Sequence, residues 1–311
     1  MVLNFKYEKA VSLEHAVELL QDNKHAYILS GGTNILLKIK HGQLRPGLLI
    51  SVNGLKSLTE ISVKEGYIHI GSCVKINDLL KSDVLEQNVP LLQKAAKEIA
   101  SPEIRNMATI GGNICSVGAN CGACGLPGCK ALSGGGVKAC KYASSADLIT
   151  PLMVLDAGLL LVSGQGERRI SVQDFISVDR KINLLPGELL KEIYFKEQKI
   201  GSWGYSRLST SKAMGTTVIS AAVRLDKDKD NVISRLSLAL GGAFAKPVQV
   251  SDISQLVKGR PIDNNLIEDI TAKAIEQLSY IDNLEMSLSY RKHMTGVLIN
   301  EAIQQALGVQ S

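Results

Sequence analysis

The 311-residue chain holds six cysteines, and four of them, Cys121, Cys124, Cys129 and Cys140, fall within the stretch CGACGLPGCKALSGGGVKAC. Counted from Cys115 the spacing is C-x5-C-x2-C-x4-C-x10-C. Six glycines, one proline and no histidine lie between the first and last of the four. Four thiolates hold zinc tetrahedrally or carry an iron–sulfur cluster. Intervening glycines let the backbone wrap closely and leave N–H groups to point at sulfur, one of the levers on a cluster's potential. A zinc ribbon more typically shows two separated C-x2-C knuckles. One knuckle followed by irregular gaps suits a cluster better, with structural zinc and a loop of merely numerous thiols as the alternatives. Cys115 closes the strand-like run GGNIC, and Cys73 stands alone in IGSCVKIN. Both read as small buried hydrophobes rather than ligands.

A second kind of chemistry is written in two glycine turns, ILSGGTNILL at 28–37 and MATIGGNICS at 107–116. Each is a short apolar run, a Gly-Gly pair and an asparagine. Glycine supplies turn geometry without side-chain bulk, and the amides that follow can face an anion. Gly31, Gly32, Thr33 and Asn34 make the first turn, and Thr109, Gly111, Gly112 and Asn113 repeat it. Neither matches the G-x-G-x-x-G dinucleotide fingerprint or the P-loop, which disfavours both of those sites. Two such turns in one chain could clamp a pyrophosphate from two sides.

The elements that must carry these motifs are those of a globular protein. At 33.4 kDa the chain has room for about two domains. It is 45% hydrophobic and 21% charged, with a net charge of +5. Lys and Arg are spread along the chain and aromatics are only 4%, which argues against nucleic-acid binding. No stretch approaches the roughly 18 uninterrupted apolar residues of a membrane helix. The start, MVLNFKYEKAVSLEHA, shows no apolar signal core, so the expectation is a cytoplasmic protein. In that reducing compartment clustered thiols point to metal or redox chemistry.

SLEHAVELLQDN predicts a helix with Ser12 as N-cap. HAYILS and LLISVNGL read as strands around the first glycine turn, with ILLKIKHG helix-like between them. A helix is expected at 91–100, and a buried element followed by a strand in ITPLMVLDAGLLLVSG. DKDKDN, at 226–231, reads as a polar turn between two β-rich runs. Helices are expected near 264–278 and 285–307, the second turning Met294, Val297, Leu298, Ile303 and Ala306 to the core.

LSGGTNILLKIK, IRNMATIGGNIC, SADLITPLMVLDA, LLPGELLKEI and SYRKHMTGVLINEAI occur in this order. Together they resemble the FAD-binding medium subunit of the molybdenum hydroxylases, the xanthine dehydrogenase and carbon monoxide dehydrogenase flavoprotein family. The resemblance implies an α+β chain: a two-part FAD-binding domain of the vanillyl-alcohol oxidase (PCMH) type, then a small C-terminal α+β domain of antiparallel sheet and helices. That places the FAD domain at 1–185, with parts near 1–56 and 57–185, and the C-terminal domain at 186–311. It implies that Leu29, Ser30, Gly31, Gly32, Thr33, Asn34 and Ile35, with Thr109, Ile110, Gly111, Gly112 and Asn113, embrace the FAD pyrophosphate. Asp147 would bind on the ribose side, with Leu190 and Lys212 as further contacts.

The chain departs from most of the family by an insertion of about twenty-five residues, within 116–145, between GGNIC and SADL. The flavoprotein subunit of 4-hydroxybenzoyl-CoA reductase carries an insertion there that binds a [4Fe–4S] cluster. By that resemblance Cys121, Cys124, Cys129 and Cys140 are the cluster ligands. The implied partners are a molybdenum-cofactor large subunit and a [2Fe–2S] small subunit, in a heterotrimer that can double, with NAD(P) or a ferredoxin-like protein as external electron carrier. A stand-alone flavin reductase of the same fold would need a serine proton donor and a substrate-pocket arginine, which the sequence does not place.

Overall fold

A computed structural model describes residues 4–116, 147–177, 181–198, 201–211, 215–227, 233–242, 244, 246–258, 260–261, 263–280 and 286–308. The first module contains β1 (Lys6–Lys9), α1 (Leu13–Asp22), β2 (Ala26–Leu29), α2 (Ile35–Lys40) and β3 (Leu48–Ser51). Ser12 caps α1 by accepting the His15 N–H, as its position predicts. The strands form a parallel sheet in the order β1-β3-β2. Its middle strand, LLIS, is buried throughout, whereas β1, KYEK, is an exposed edge. Ala16 and Val17 of α1 pack with Leu48 and Ile50 against Val162 and Leu189 of the next layer.

The second part runs through β4 (Ile61–Lys64), β5 (Tyr67–Gly71), α3 (Ile76–Leu80), α4 (Asp83–Asn88), α5 (Pro90–Lys97), α6 (Pro102–Arg105) and α7 (Ile110–Cys115). It resumes after residue 146 with α8 (Ile149–Val154), β6 (Gly158–Ser163), β7 (Gly166–Ser171), α9 (Val172–Phe175) and β8 (Leu189–Lys196). These strands make an antiparallel sheet in the order β4-β5-β8-β6-β7. The β4–β5 hairpin turns on Glu65 and Gly66, both at positive φ, a twist that suits a two-residue connection. Ile68, Ile70, Ile193 and Phe195 face a core shared with α5 and α8.

The third part contains β9 (Ser202–Ser209), β10 (Thr217–Lys227), β11 (Ile233–Gly241), β12 (Val248–Gln249), α10 (Ile253–Val257), α11 (Asn264–Glu276) and α12 (Leu288–Leu307). The two β-rich runs pair as β10 and β11 in an antiparallel sheet ordered β12-β11-β10-β9. One face packs on α12, which buries Leu298, Ile303 and Ala306 as expected, and also Ile299 and Ala302, while Met294 and Val297 sit half-buried. The other face sends Tyr205, Ala222 and Ala239 into the core of the second part, so the two layers share apolar surface. The fold is thus the expected α+β arrangement, closing in an antiparallel sheet with helices. No helix among the described residues is long and apolar enough to cross a membrane.

One local expectation fails. GGNIC is the helix α7, not a strand-like element. Two glycines lower its intrinsic helicity, but Thr109 caps it by accepting the Gly112 N–H, and Ile110 and Ile114 bury its inner side.

Candidate functional site

The first turn leaves β2 at Leu29 and enters α2 at Ile35. Gly32 takes φ +76°, a left-handed conformation that side chains rarely adopt. The backbone N–H groups of Gly31, Gly32, Thr33 and Ile35 have no hydrogen-bond acceptor among the described residues. All four residues are half-buried. Backbone amides that the fold itself leaves unused are groups able to accept an anion.

The second turn looks alike in sequence and differs in structure. Its amides are spoken for: Ile110 N–H donates to Val74 O at 2.9 Å, Gly111 N–H to Ser72 O at 2.9 Å, and Gly112 N–H to Thr109 Oγ1 at 3.2 Å. Asn113 N–H closes the helical turn on Thr109 O. The two turns, alike in sequence, therefore differ in structure: the amides of residues 110–113 are used by the fold, whereas those of Gly31, Gly32, Thr33 and Ile35 are not. Thr109, Ile110 and Gly111 are buried, whereas Gly112 is exposed and Asn113 half-buried.

The two turns are locked together. A Cβ on Gly31 would stand 2.2 Å from Met107 O, and one on Gly111 would stand 2.7 Å from Ser72 O, so both sites require glycine for close approach. The Ser30 hydroxyl lies 3.0 Å from Thr109 Oγ1 and 3.2 Å from Cys73 Sγ, which compete for its proton. Asn53 Nδ2 donates to Ser30 O at 3.0 Å. Burial pushes the Cys73 thiol up against the opposing Ser30 hydrogen bond, which keeps it a neutral thiol at ordinary pH. Ser72, Cys73 and Asn53 thus belong to the site's support. Sequence reasoning set Cys73 aside as isolated and passed over the other two, because the contacts that define them join distant segments.

Asp147 opens the helical stretch of SADLITP, and its neighbour Leu148 donates its N–H to Asn113 Oδ1 at 3.4 Å. The Asp147 carboxylate accepts from Thr217 and lies 3.8 Å from Arg207 Nη1, both in the C-terminal sheet. Leu190 is a buried core residue of β8, paired with Leu161. The same strand supports the second turn through Ser72, which donates its N–H to Lys191 O at 2.9 Å and accepts from Gly111. Leu185, ahead of β8, is held by Glu188, which accepts two 2.7 Å bonds from Arg168 and one from Leu185 N–H. Lys212 and the four loop cysteines lie outside the described residues. Cys115 ends α7, and burial pushes its thiol up to about 12, in keeping with an apolar packing role. No group of three or more metal-binding side chains occurs among the described residues.

Known proteins agree with this architecture. Residues 3–195 match the family described as the FAD binding domain in molybdopterin dehydrogenase, and residues 205–306 match the CO dehydrogenase flavoprotein C-terminal domain. The chain is 29% identical over 310 residues to the xanthine dehydrogenase FAD-binding subunit of Escherichia coli O157:H7, covering 97% of each chain. It is 25% identical to the glyceraldehyde dehydrogenase medium chain of Sulfolobus acidocaldarius, over 97% of this chain and 98% of that one. In fold it is similar to reconstituted CO dehydrogenase from Oligotropha carboxidovorans, with TM-score 0.85, 22% identity and all of both chains covered. A fold that sets one open glycine turn against one closed one, and family matches that run through both, lead to one conclusion: the chain belongs to the family of FAD-binding domains in molybdopterin dehydrogenases.

Proposed function

We propose that the chain is the FAD-carrying electron-transfer subunit of a multi-subunit molybdenum hydroxylase-type dehydrogenase. The observation that carries this reading is the set of unused amides at Gly31, Gly32, Thr33 and Ile35, held in place by the second turn. Those amides suit the charge and spacing of a pyrophosphate. Leu29 to Ile35 are the residues that would hold it, and Thr109 to Asn113 form the wall behind, with Gly112 and Asn113 on the accessible side. Asp147, Leu190 and Lys212 would contact the rest of the cofactor. When bound, FAD supplies the redox chemistry, and the protein's part is binding, orientation and electrostatic tuning.

Cys121, Cys124, Cys129 and Cys140 are the proposed ligands of an additional [4Fe–4S] cluster in the inserted loop. Four thiolates in a glycine-rich segment fit that group. The loop is rooted beside the flavin turn, because Asn113 accepts from Leu148 at the far side of the insertion. Relatives named as medium chains support an assembly with a molybdenum-cofactor large subunit and a [2Fe–2S] small subunit. The external carrier in this reading is NAD(P) or a ferredoxin-like protein, and the proposed compartment is the cytoplasm.

Anaerobic purification of the full chain, followed by a visible spectrum and metal analysis, tests the reading. Flavin bands with four irons per chain support it. Flavin with one zinc replaces the cluster by a structural metal, and flavin with no metal leaves a plain flavoprotein. A colourless chain contradicts the reading altogether.

A further inference from the structure

Three residues far apart in the sequence, Glu98, Asp147 and Thr217, meet at Arg207. Arg207, on β9, is a nearly enclosed cation with a side chain 7% exposed. Its Nη1 donates to Thr217 Oγ1 at 3.0 Å and lies 3.8 Å from Asp147 Oδ1. The Thr217 hydroxyl in turn donates to the same Asp147 oxygen. The Nε of Arg207 reaches Glu98 Oε2, just past the end of α5, at 3.3 Å. Tyr205, two residues earlier on β9, is sunk in the core with α5 and α8 and anchors the strand. Beyond Asp147, Leu148 ties back to Asn113 in the second glycine turn. A continuous path of contacts therefore runs from the C-terminal sheet to the flavin turn. Both C-terminal contacts converge on Oδ1; the Asp147 backbone N–H also donates to the carboxylate, and no side chain among the described residues donates to Oδ2.

We propose that Arg207 is a positioning residue for the flavin site: with Thr217 it fixes Oδ1 of Asp147 and leaves Oδ2 to accept from a hydroxyl of the bound cofactor. This deepens the flavin reading and rests on it. A carboxylate accepts a hydroxyl more strongly when ionised. Desolvation pushes the Asp147 carboxyl up, and Thr217 and Arg207 work against that rise. The charged and titratable groups facing it are Arg207 and Tyr205 from β9 and Glu98 at the end of α5, and Arg207 is the cation among them. Removing that cation leaves desolvation and the Glu98 charge to favour the protonated acid.

The test is FAD titration of the flavin-stripped full chain, read by flavin fluorescence at pH 8 and pH 5.5. Arg207→Met should weaken FAD by about tenfold, the scale of one charge-assisted hydrogen bond, and weaken it further at pH 5.5. Arg207→Lys should restore most of the affinity at both pH values. Adding Asp147→Asn to Arg207→Met should abolish the pH dependence. Wild-type affinity in Arg207→Met at both pH values, with an unchanged melting temperature, overturns the proposal. If Arg207→Met does not fold, Thr217→Val and Thr217→Ser decide. Only Val should weaken FAD, and equal affinities overturn the proposal. Failure of the wild-type chain to take up FAD is a different result, which overturns the flavin reading and this proposal with it.

Discussion

Gly31 and Met107 touch so closely that a single added carbon on Gly31 would stand 2.2 Å from the Met107 carbonyl oxygen. The two residues belong to different glycine turns, so this contact is the point at which the open turn rests on the closed one. Gly31→Ala should therefore separate the turns. The expected cost is about 1–3 kcal/mol, the usual range for overpacking against rigid backbone. It is checked by denaturant unfolding, with a parallel loss of FAD per chain. Retention of full flavin content at wild-type stability would contradict the close approach.

The loop ahead of β8 depends on a different pair. Arg168 grips Glu188 with two 2.7 Å bonds and also donates to Asn183 O. The hydrogen bond from Arg168 holds the Glu188 carboxyl below its ordinary value of 4.5, so the stabilisation is present above that value and lost as pH falls through the lowered one. Arg168→Met should cost about 2 kcal/mol at pH 7, as for a lost hydrogen bond to a charged group. The gap from wild type should close on acidification below pH 4.5, as chemical unfolding across a pH series will show.

Asp147 has the opposite sign. Desolvation raises its carboxyl above the ordinary 3.8, so the folded chain holds that proton more tightly than the unfolded chain. Its contribution to stability falls as pH rises from 3.8 through the raised value. Asp147→Asn cannot titrate. The melting temperature of the variant relative to wild type should therefore be higher at pH 7 than at pH 3.5, and a constant difference across that range would contradict the burial argument.

The cysteine loop is separable in this account. Cys129→Ser should lose the metal and keep FAD, read by metal analysis and the flavin absorbance of the same sample. Loss of both would mean that the loop and the flavin turn fold as one unit.

What could be read in the sequence follows the range of the forces involved. The helix α1 and its Ser12 cap are local, and both are found as expected. The long apolar runs of β10 and β11 pair across their polar turn for the same reason. β1 carried no signal, because KYEK is an exposed edge held by its backbone pairing to β3 rather than by burial. α7 misled, because two glycines hide a helix that a single threonine cap and two buried isoleucines sustain. The two turns were visible as motifs, but their inequality was not. It depends on Ser72 and Val74 consuming the amides of Gly111 and Ile110, and nothing within either motif announces that. Arg207 was invisible in the same way, since its partners stand at 98, 147 and 217.

The most direct measurement is a comparison of FAD with riboflavin on the flavin-stripped full chain. Both present the same ring system, and only FAD offers a pyrophosphate to the unused amides of Gly31, Gly32, Thr33 and Ile35. One FAD per chain, bound at least about a hundredfold more tightly than riboflavin, is the predicted result, corresponding to about 2.7 kcal/mol. Equal affinity for the two, or no uptake of either, would contradict the account.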